Sequence, residues 1–160
     1  VDWNKDGLPD LVMLDHEGYL AFFERTQTED GLALKPGKRI FKGKAFDNRQ
    51  RVQSEQNDGL LRLNIGTAGS SGRRKMAFVD WDGDGDLDLL INSVNINLLE
   101  NVGTEGGMTT FQDRGPLHNR TLAGHTTSPT MVDWNRDGVP DLLVGAEDGR
   151  FYYLKNSRLE

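Results

Sequence analysis

Short apolar runs alternate with polar turns along the 160-residue chain, and no helical period is evident. Three times, an acidic stretch is followed by an apolar run, a polar turn and a second run of aromatic and aliphatic residues. Two such runs around a short turn predict a β-hairpin. The paired runs are Leu11 to Leu14 with Tyr19 to Phe23, Leu89 to Ile91 with Ile96 to Leu99, and Leu142 to Val144 with Phe151 to Leu154.

Further strands are predicted on either side of these hairpins. The runs Met76 to Val79 and Pro129 to Val132 predict strands that enter the second and third acidic stretches. A weaker fourth strand is expected near Arg39 to Phe41 in the first unit and near Thr109 to Phe111 in the second.

The acidic stretches form an internal repeat. Residues 1–14, 79–92 and 132–145 share the frame V-D-W-[DN]-x-D-G-x-x-D-L-[LV], and every tryptophan of the chain occupies the same position in it. The first spacing is longer than the second, and the excess lies within Lys44 to Lys75. There we expect an extra strand at Leu60 to Ile65 and a Gly/Ser-rich loop.

Four-stranded antiparallel units that repeat about every 50–60 residues predict β-propeller blades, because one small sheet must stack on its neighbours to bury both faces. The sequence therefore predicts an all-β fold, a partial β-propeller of about three four-stranded antiparallel blades with acidic loops. We predict one repeat domain over residues 1–158, with blades at about 1–75, 76–128 and 129–158. This domain is predicted to be a fragment of a larger propeller. Leu159 and Glu160 are treated as a cloning remnant.

Composition limits the classes of partner. The chain has 36% hydrophobic residues, no cysteine and a net charge of −6. Without cysteine there are no disulfides or thiol chemistry, and an acidic chain lacks the basic face that nucleic acid requires. No apolar run of about 18 residues predicts a membrane span, and no signal peptide is found in a chain that opens inside a motif.

The acidic segments have the spacing of an oxygen cage for a hard cation. We name residues 2–10, 80–88 and 133–141 loops 1, 2 and 3. Side chains at positions 1, 3, 5 and 9 and a backbone carbonyl at position 7 supply six or seven oxygens, and glycine at position 6 permits a sharp turn. The predicted ligands are Asp2, Asn4, Asp6, Leu8 and Asp10; Asp80, Asp82, Asp84, Asp86 and Asp88; and Asp133, Asn135, Asp137, Val139 and Asp141.

Leu8, Asp86 and Val139 would contribute backbone carbonyls, so the Asp86 side chain is expected to face water. Flexible all-protein oxygen cages favour Ca²⁺ over Mg²⁺, and about three sites are predicted. Loop 2, with four ligand carboxylates, should bind most tightly. The alternative is an acidic turn without an ion, in which Asx side chains accept backbone amides.

An EF-hand begins with similar spacing but needs a glutamate at position 12 and flanking helices. Position 12 holds Met13, Ile91 and Val144, so an EF-hand is disfavoured. The ninth-position aspartate followed by a strand instead resembles the FG-GAP and VCBS-type repeats of integrin α-subunit propellers and many exported bacterial proteins. That resemblance implies calcium loops within a β-propeller.

Other motifs give weaker indications. The three tryptophans are expected to pack between units rather than to stack on sugars. The stretch GTAGSSGRRK lacks the spacing of a phosphate loop. Its basic end, Arg73 to Lys75, is either a solvated loop or a contact for an acidic polysaccharide or another partner. Exposed loop positions are expected for His16, His118 and His125.

The sequence favours a non-catalytic, calcium-binding module of an exported, periplasmic or cell-surface protein that binds a protein or a carbohydrate. An alternative is part of a polysaccharide lyase, which would be favoured if Arg73, Arg74 or Lys75 converged with Tyr19 or a histidine. A third reading is integrin-style adhesion through a flat face. Exposed blade edges also predict self-association.

Overall fold

A computed structural model describes residues 1–44, 59–64, 74–93, 95–122 and 127–157. Strands and turns make up this described part, which contains no helix, so the all-β prediction is confirmed. No segment of it forms a helix able to cross a membrane. The strands are β1 Leu11–Leu14, β2 Leu20–Phe23, β3 Arg25–Thr28, β4 Gly31–Leu34, β5 Phe41–Lys44, β6 Met76–Val79, β7 Asp88–Asn92, β8 Ile96–Glu105, β9 Met108–Pro116, β10 Thr127–Val132, β11 Asp141–Ala146 and β12 Phe151–Leu154.

The strands form four sheets, and none of them closes on itself. Two are hairpins, β1–β2 and β3–β4, the third has the order β5-β9-β8-β7-β6, and the fourth has the order β10-β11-β12. The three hairpins predicted after the acidic stretches are therefore present, as antiparallel pairs β1–β2, β7–β8 and β11–β12. The strands predicted before loops 2 and 3 are also confirmed, as β6 and β10.

The prediction of about three four-stranded antiparallel blades is confirmed in its coarser part, an all-β fold of several small sheets. Only the second unit has four antiparallel strands, whereas the described part of the first unit has two hairpins and that of the third has three strands. The hairpin β3–β4 was not predicted, because its strands are short and mostly exposed. Residues 159–160 lie outside the described part.

The segment expected to be the fourth strand of the first unit joins the second unit instead. Lys38 exchanges backbone hydrogen bonds with Phe22 of β2, but three residues later β5 runs parallel to β9. The reason is burial: Phe41 is fully buried in the space between the two sheets, where its ring lies 6.0 Å from that of Phe111. The chain thus crosses from one sheet to the next between residues 38 and 41.

The strand expected at Leu60 to Ile65 is reduced to isolated bridges. Leu60 bridges Lys42, and Arg62 bridges Tyr19, so this segment also joins the first hairpin to the five-stranded sheet. Ile65 and most of the Gly/Ser-rich loop lie outside the described residues.

The five-stranded sheet is buried on both faces. Side chains alternate along β7, so that Leu89 and Ile91 face the first unit whereas Leu90 faces the third. The cluster toward the first unit contains Leu14, Leu20, Phe22, Phe41, Leu61, Leu63, Leu89, Ile91, Leu99 and Phe111. The cluster toward the third unit contains Val79, Leu90, Ile96, Leu98, Leu122, Leu142 and Val144. The units therefore stack as layers, as sheets that cannot bury both faces alone must do.

Candidate metal centres

The three loops precede equivalent strands. Loop 1 leads into β1, loop 2 connects β6 with β7, and loop 3 connects β10 with β11. Glycine at position 6 has a positive φ in each loop: 89° at Gly7, 94° at Gly85 and 86° at Gly138. The sharp turn predicted from the sequence is therefore present, since this conformation is readily adopted only by glycine.

Position 4 has the same left-handed backbone, which the sequence did not reveal. The φ angle is 60° at Lys5 and 62° at Arg136, whereas loop 2 has glycine there, Gly83, with a φ of 87°. A side chain in this region is strained by contact with its own backbone. Loops 1 and 3 consequently retain strain that loop 2 avoids.

The position-1 carboxylate closes each loop through backbone amides. Asp2 accepts from Asp6 N at 3.1 Å and Gly7 N at 2.9 Å, and Asp133 accepts the equivalent pair at 3.1 and 3.0 Å. In loop 2, Asp80 accepts from Gly83 N at 2.6 Å and Gly85 N at 3.2 Å. These bonds orient the carboxylates inward, and they are also the contacts expected of an acidic turn without an ion.

The position-9 aspartates are buried and cross-link the unit. Asp88 accepts the amide of Trp81 at 2.8 Å with Oδ2 and the amide of Asn101 at 2.8 Å with Oδ1. Asp10 bonds Trp3 and Arg25 in the same way, and Asp141 bonds Trp134 and Asn156. Each carboxylate therefore ties the start of its loop to the end of the hairpin that follows.

The partners Asn101 and Asn156 were missed by the sequence analysis. Both are buried at equivalent positions, Asn101 within β8 and Asn156 just after β12. The Nδ2 atom of Asn156 donates to the carbonyls of Trp81 at 2.9 Å and Pro140 at 3.3 Å. The signal was present as Leu-Glu-Asn at residues 99–101 and Leu-Lys-Asn at residues 154–156. Arg25 occupies this place in the first unit, which weakens the pattern.

Loop 2 brings three carboxylates together. Oxygens of Asp80, Asp82 and Asp88 all lie within 4.8 Å of one another, and they form the only such acidic group within the described ranges. The Oδ1 atom of Asp84 accepts the amide of Asp86 at 2.8 Å. The hard oxygen donors of this cluster suit a divalent cation such as Ca²⁺.

In loops 1 and 3 an asparagine side chain donates a hydrogen bond to a carboxylate of the same loop. In loop 1 the Nδ2 atom of Asn4 donates to Asp6 Oδ2 at 2.8 Å, and in loop 3 Asn135 makes the same bond to Asp137 at 2.8 Å. Position 3 of loop 2 is Asp82, whose side chain has no N–H group to donate. The repulsion between carboxylates is therefore least compensated in loop 2.

The pKa values of two position-9 aspartates, Asp88 of loop 2 and Asp141 of loop 3, reflect this difference in compensation. Burial raises the pKa of Asp88 to about 6, against the opposing effect of the amides of Asn101 and Trp81, and the charges of Asp82 and Asp84 add to the rise. Burial also acts to raise the pKa of Asp141, but the Asn156 amide and the Tyr153 hydroxyl, 3.0 Å away, outweigh it and lower that pKa. Ionised Asp88 is thus the less stabilised of these two carboxylates.

The residue at position 7 differs among the loops in its exposure and contacts. The Asp86 side chain, expected to face water, is half-exposed and lies 3.5 Å from the ammonium of Lys5 in loop 1. Val139 is buried, and Leu8 is half-buried. Loops 1 and 2 are therefore neighbours, joined by this contact and by a Lys5 bond to Gly85 O at 3.4 Å.

Two of the three tryptophans pack between units as predicted. The ring of Trp3 packs edge-on against Phe41 and Phe78, with ring centroids 4.9 and 5.8 Å apart. Trp81 packs against the cluster shared with the third unit. The prediction is wrong for Trp134, which is 64% exposed beside Tyr153.

The remaining candidates do not assemble a reaction centre in the described part. His16 and His118 are exposed, as expected, and His125 and Arg73 lie outside the described residues. Arg74 donates to the carbonyls of Leu63 at 2.6 Å and Asn92 at 3.2 Å, which fixes these two segments. The guanidinium groups near the Tyr19 ring belong to Arg39, at 4.1 Å, and Arg62, at 5.3 Å.

Comparison with known proteins supports the FG-GAP resemblance over part of the chain. Residues 80–144, which include loop 2 and loop 3, match the profile of the FG-GAP-like repeat. The match suggests a β-propeller-like repeat module. The chain has no significant match among curated proteins or solved structures.

Proposed function

We propose that the chain is a calcium-binding, β-propeller-like module of an exported protein, non-catalytic, that serves protein or carbohydrate binding and scaffolding. The observation that carries this proposal is the convergence of Asp80, Asp82 and Asp88 within 4.8 Å in a loop that links β6 to the fully buried strand β7. Two further loops of the same spacing precede equivalent strands, which supports about three sites. The FG-GAP-like match of residues 80–144 agrees with this reading.

A cation at loop 2 would offset a specific electrostatic cost. Three carboxylates this close repel one another, and burial makes ionised Asp88 costly. A divalent ion held by Asp80, Asp82 and Asp88 supplies the missing positive charge. Loop 2 is therefore proposed as the tightest site, with loops 1 and 3 weaker because each carries an asparagine at position 3.

The proposed role of the metal is structural. Each loop precedes a strand that contributes to an inter-unit core, so closing the loop also fixes the start of that strand. Binding free energy then appears as folding free energy. An exported location is proposed because near-millimolar extracellular calcium fills weak oxygen sites.

The described residues give the lyase alternative no supporting observation, and Arg73 and His125 lie outside them. This alternative would be favoured if Arg73, Arg74 or Lys75 converged with Tyr19 or a histidine, whereas Arg74 donates to the backbone carbonyls of Leu63 and Asn92. Arg39 beside Tyr19 is paired with Asp15 and Glu17. A binding or scaffolding role therefore remains the proposal.

The test is calorimetric titration of chelator-stripped protein with CaCl₂, together with thermal unfolding with and without the ion. We expect about three equivalents bound and a clear rise in Tm. Titration with MgCl₂ should give weaker binding, because Mg²⁺ requires a stricter octahedral geometry. No heat and no shift in Tm with calcium would overturn the proposal.

A matched pair of variants locates the tightest site. Asp82→Asn removes one carboxylate from the loop 2 cluster, whereas Asp30→Asn removes one from an exposed turn of the β3–β4 hairpin. We expect Asp82→Asn to weaken the tightest binding step by about tenfold or more, equivalent to about 1.4 kcal/mol. Asp30→Asn has the same net charge and should leave all steps unchanged. Equal effects of the two variants would indicate a general charge effect rather than a site.

A further inference from the structure

The ammonium group of Lys5 in loop 1 lies against loop 2. Its Nζ atom is 3.4 Å from the carbonyl oxygen of Gly85 and 3.5 Å from Oδ1 of Asp86. Gly85 and Asp86 are positions 6 and 7 of loop 2, and they are 80 and 81 residues from Lys5 in the chain. The fold therefore brings a cation of one proposed metal loop to the edge of another.

The backbone conformation of Lys5 is unusual for a lysine. Lys5 is at position 4 of its loop and has a φ of 60°, in the left-handed region, where loop 2 has Gly83. Glycine adopts this conformation without strain, so the turn itself gives no reason for a lysine. What the lysine adds, and glycine cannot, is a charged side chain that reaches the neighbouring loop.

Loop 2 is the loop in which an added positive charge matters most. It has five aspartates and no basic residue, and carboxylate oxygens of Asp80, Asp82 and Asp88 lie within 4.8 Å of one another. Position 3 is an aspartate here, whereas loops 1 and 3 have an asparagine that donates to a carboxylate. A cation beside loop 2 lowers the repulsion between its carboxylates.

The contacts of Lys5 with loop 2 are too long and too exposed to act as a rigid link. Both distances are at the upper limit for a hydrogen bond, and the side chains of Lys5 and Asp86 are 73% and 48% exposed. Exposed ion pairs of this kind contribute little to folding. The ammonium group can therefore move away from loop 2, while its charge still acts over roughly a Debye length, about 8 Å at 0.15 M salt.

We propose that Lys5 is a tethered counter-ion of loop 2, which competes with the divalent cation proposed there and lowers its affinity. This role rests on the calcium function proposed for loop 2, and it assigns a residue that is not itself a metal ligand. With loop 2 empty, the ammonium group offsets the repulsion between carboxylates. With a cation bound, the metal and Lys5 repel each other, so the side chain turns to solvent. Loop 1 thereby sets the calcium affinity of loop 2 through one side chain.

Calorimetric titration of chelator-stripped Lys5→Gln with CaCl₂ tests the competition. The substitution removes the charge and retains a polar side chain. The binding step that Asp82→Asn weakens should become tighter, by about twofold near 0.15 M salt and by about fivefold near 0.01 M, where screening is weaker. Lys75→Gln is the matched control, because it changes the net charge equally at the end of β6 that is far from loop 2. It should leave that step unchanged.

The titration separates failure of the calcium function from failure of the competition. A wild type that binds no calcium would overturn the proposed function, and the role of Lys5 with it. Calcium binding with equal affinity by the wild type and Lys5→Gln would overturn the role of Lys5 alone. Equal effects of Lys5→Gln and Lys75→Gln would do the same, because they would indicate a general effect of net charge.

Thermal unfolding adds a readout that needs no metal. In chelator at low salt, Lys5→Gln should melt about 1–2 °C below the wild type, because the carboxylates of loop 2 lose a counter-charge. Saturating CaCl₂ should remove this deficit, since the bound ion then neutralises the loop. A deficit of the same size in chelator and in calcium would indicate an ordinary surface ion pair and would overturn the competition, as would equal Tm values in chelator.

Discussion

The side-chain amide of Asn156 donates a hydrogen bond of 2.9 Å to the backbone carbonyl of Trp81, 75 residues earlier in the chain. It joins the end of the third unit to the loop of the second. The backbone amide of Asn156 meanwhile donates to Asp141 at 3.0 Å. One buried residue therefore links a loop to its own hairpin and to the neighbouring unit.

Asn156→Ala tests this link. The substitution leaves the partly buried carbonyls of Trp81 and Pro140 without their side-chain donor, so we expect a loss of about 1–3 kcal/mol in the free energy of unfolding. Urea denaturation measures it, and Asn119→Ala at an exposed position provides the control. A loss below about 0.5 kcal/mol, the range of ordinary surface substitutions, would show that the link contributes little.

Two tryptophans at the same motif position should differ sharply on substitution. Trp3→Ala removes ring contacts with Phe41 and Phe78, so we expect a cost of about 2–4 kcal/mol. Trp134→Ala removes a mostly exposed ring and should cost less than about 1 kcal/mol. Both are measured by urea denaturation at low protein concentration, where association is minimal. Similar costs would contradict the assignment of Trp3 to the inter-unit core.

Because the backbone at position 4 of the loops is left-handed, two substitutions there should have opposite effects on stability. Arg136→Gly relieves a left-handed φ of 62° and should raise the unfolding free energy by about 0.5–1 kcal/mol. Gly83→Ala introduces a side chain at a φ of 87° in loop 2 and should lower it by about 1 kcal/mol. Thermal and urea unfolding in chelator measure both. Destabilisation by Arg136→Gly would mean that the arginine side chain stabilises loop 3.

The ion pair between Asp15 and Arg39 should make the free energy of unfolding depend on pH. Burial acts to raise the pKa of Asp15, but the hydrogen bond from Arg39 and the amides of Tyr19 and Glu17 outweigh it, so the pKa lies below its usual value of 3.8. A depressed folded-state pKa gives stability that is present above pH 4 and lost as the pH falls through the lower folded value.

Arg39→Gln removes the ion pairs of Arg39 with both Asp15 and Glu17, whose pKa values Arg39 lowers. The partly exposed pair with Asp15 should stabilise the wild type over the variant by about 0.5–1 kcal/mol at pH 6. The difference should shrink as the pH falls below about 4, leaving only the contact between Arg39 and the Tyr19 ring. Urea unfolding at several pH values follows the change. A difference that stays constant down to pH 2 would contradict an electrostatic origin.

The sequence by itself determined the hairpins, the positions of the loops and the glycine turns within them. These features are local: alternating apolar residues define short strands, and a left-handed backbone favours glycine. The repeated frame also made stacking of units necessary, because no single sheet could cover both of its faces. The convergence of the loop 2 carboxylates followed from their spacing, and the metal itself remains a proposal.

Only the tertiary structure decided where β5 pairs, which tryptophans are covered and what the ninth-position aspartates bond. Phe41 lies 68 residues from its strand partner Thr109, so the crossover depended on space between two sheets and not on local pattern. Trp3, Trp81 and Trp134 have the same sequence context, and their burial differs because a following unit covers the first two. The sequence predicted Asp10, Asp88 and Asp141 as metal ligands, and only the folded hairpins show that each carboxylate also accepts backbone amides.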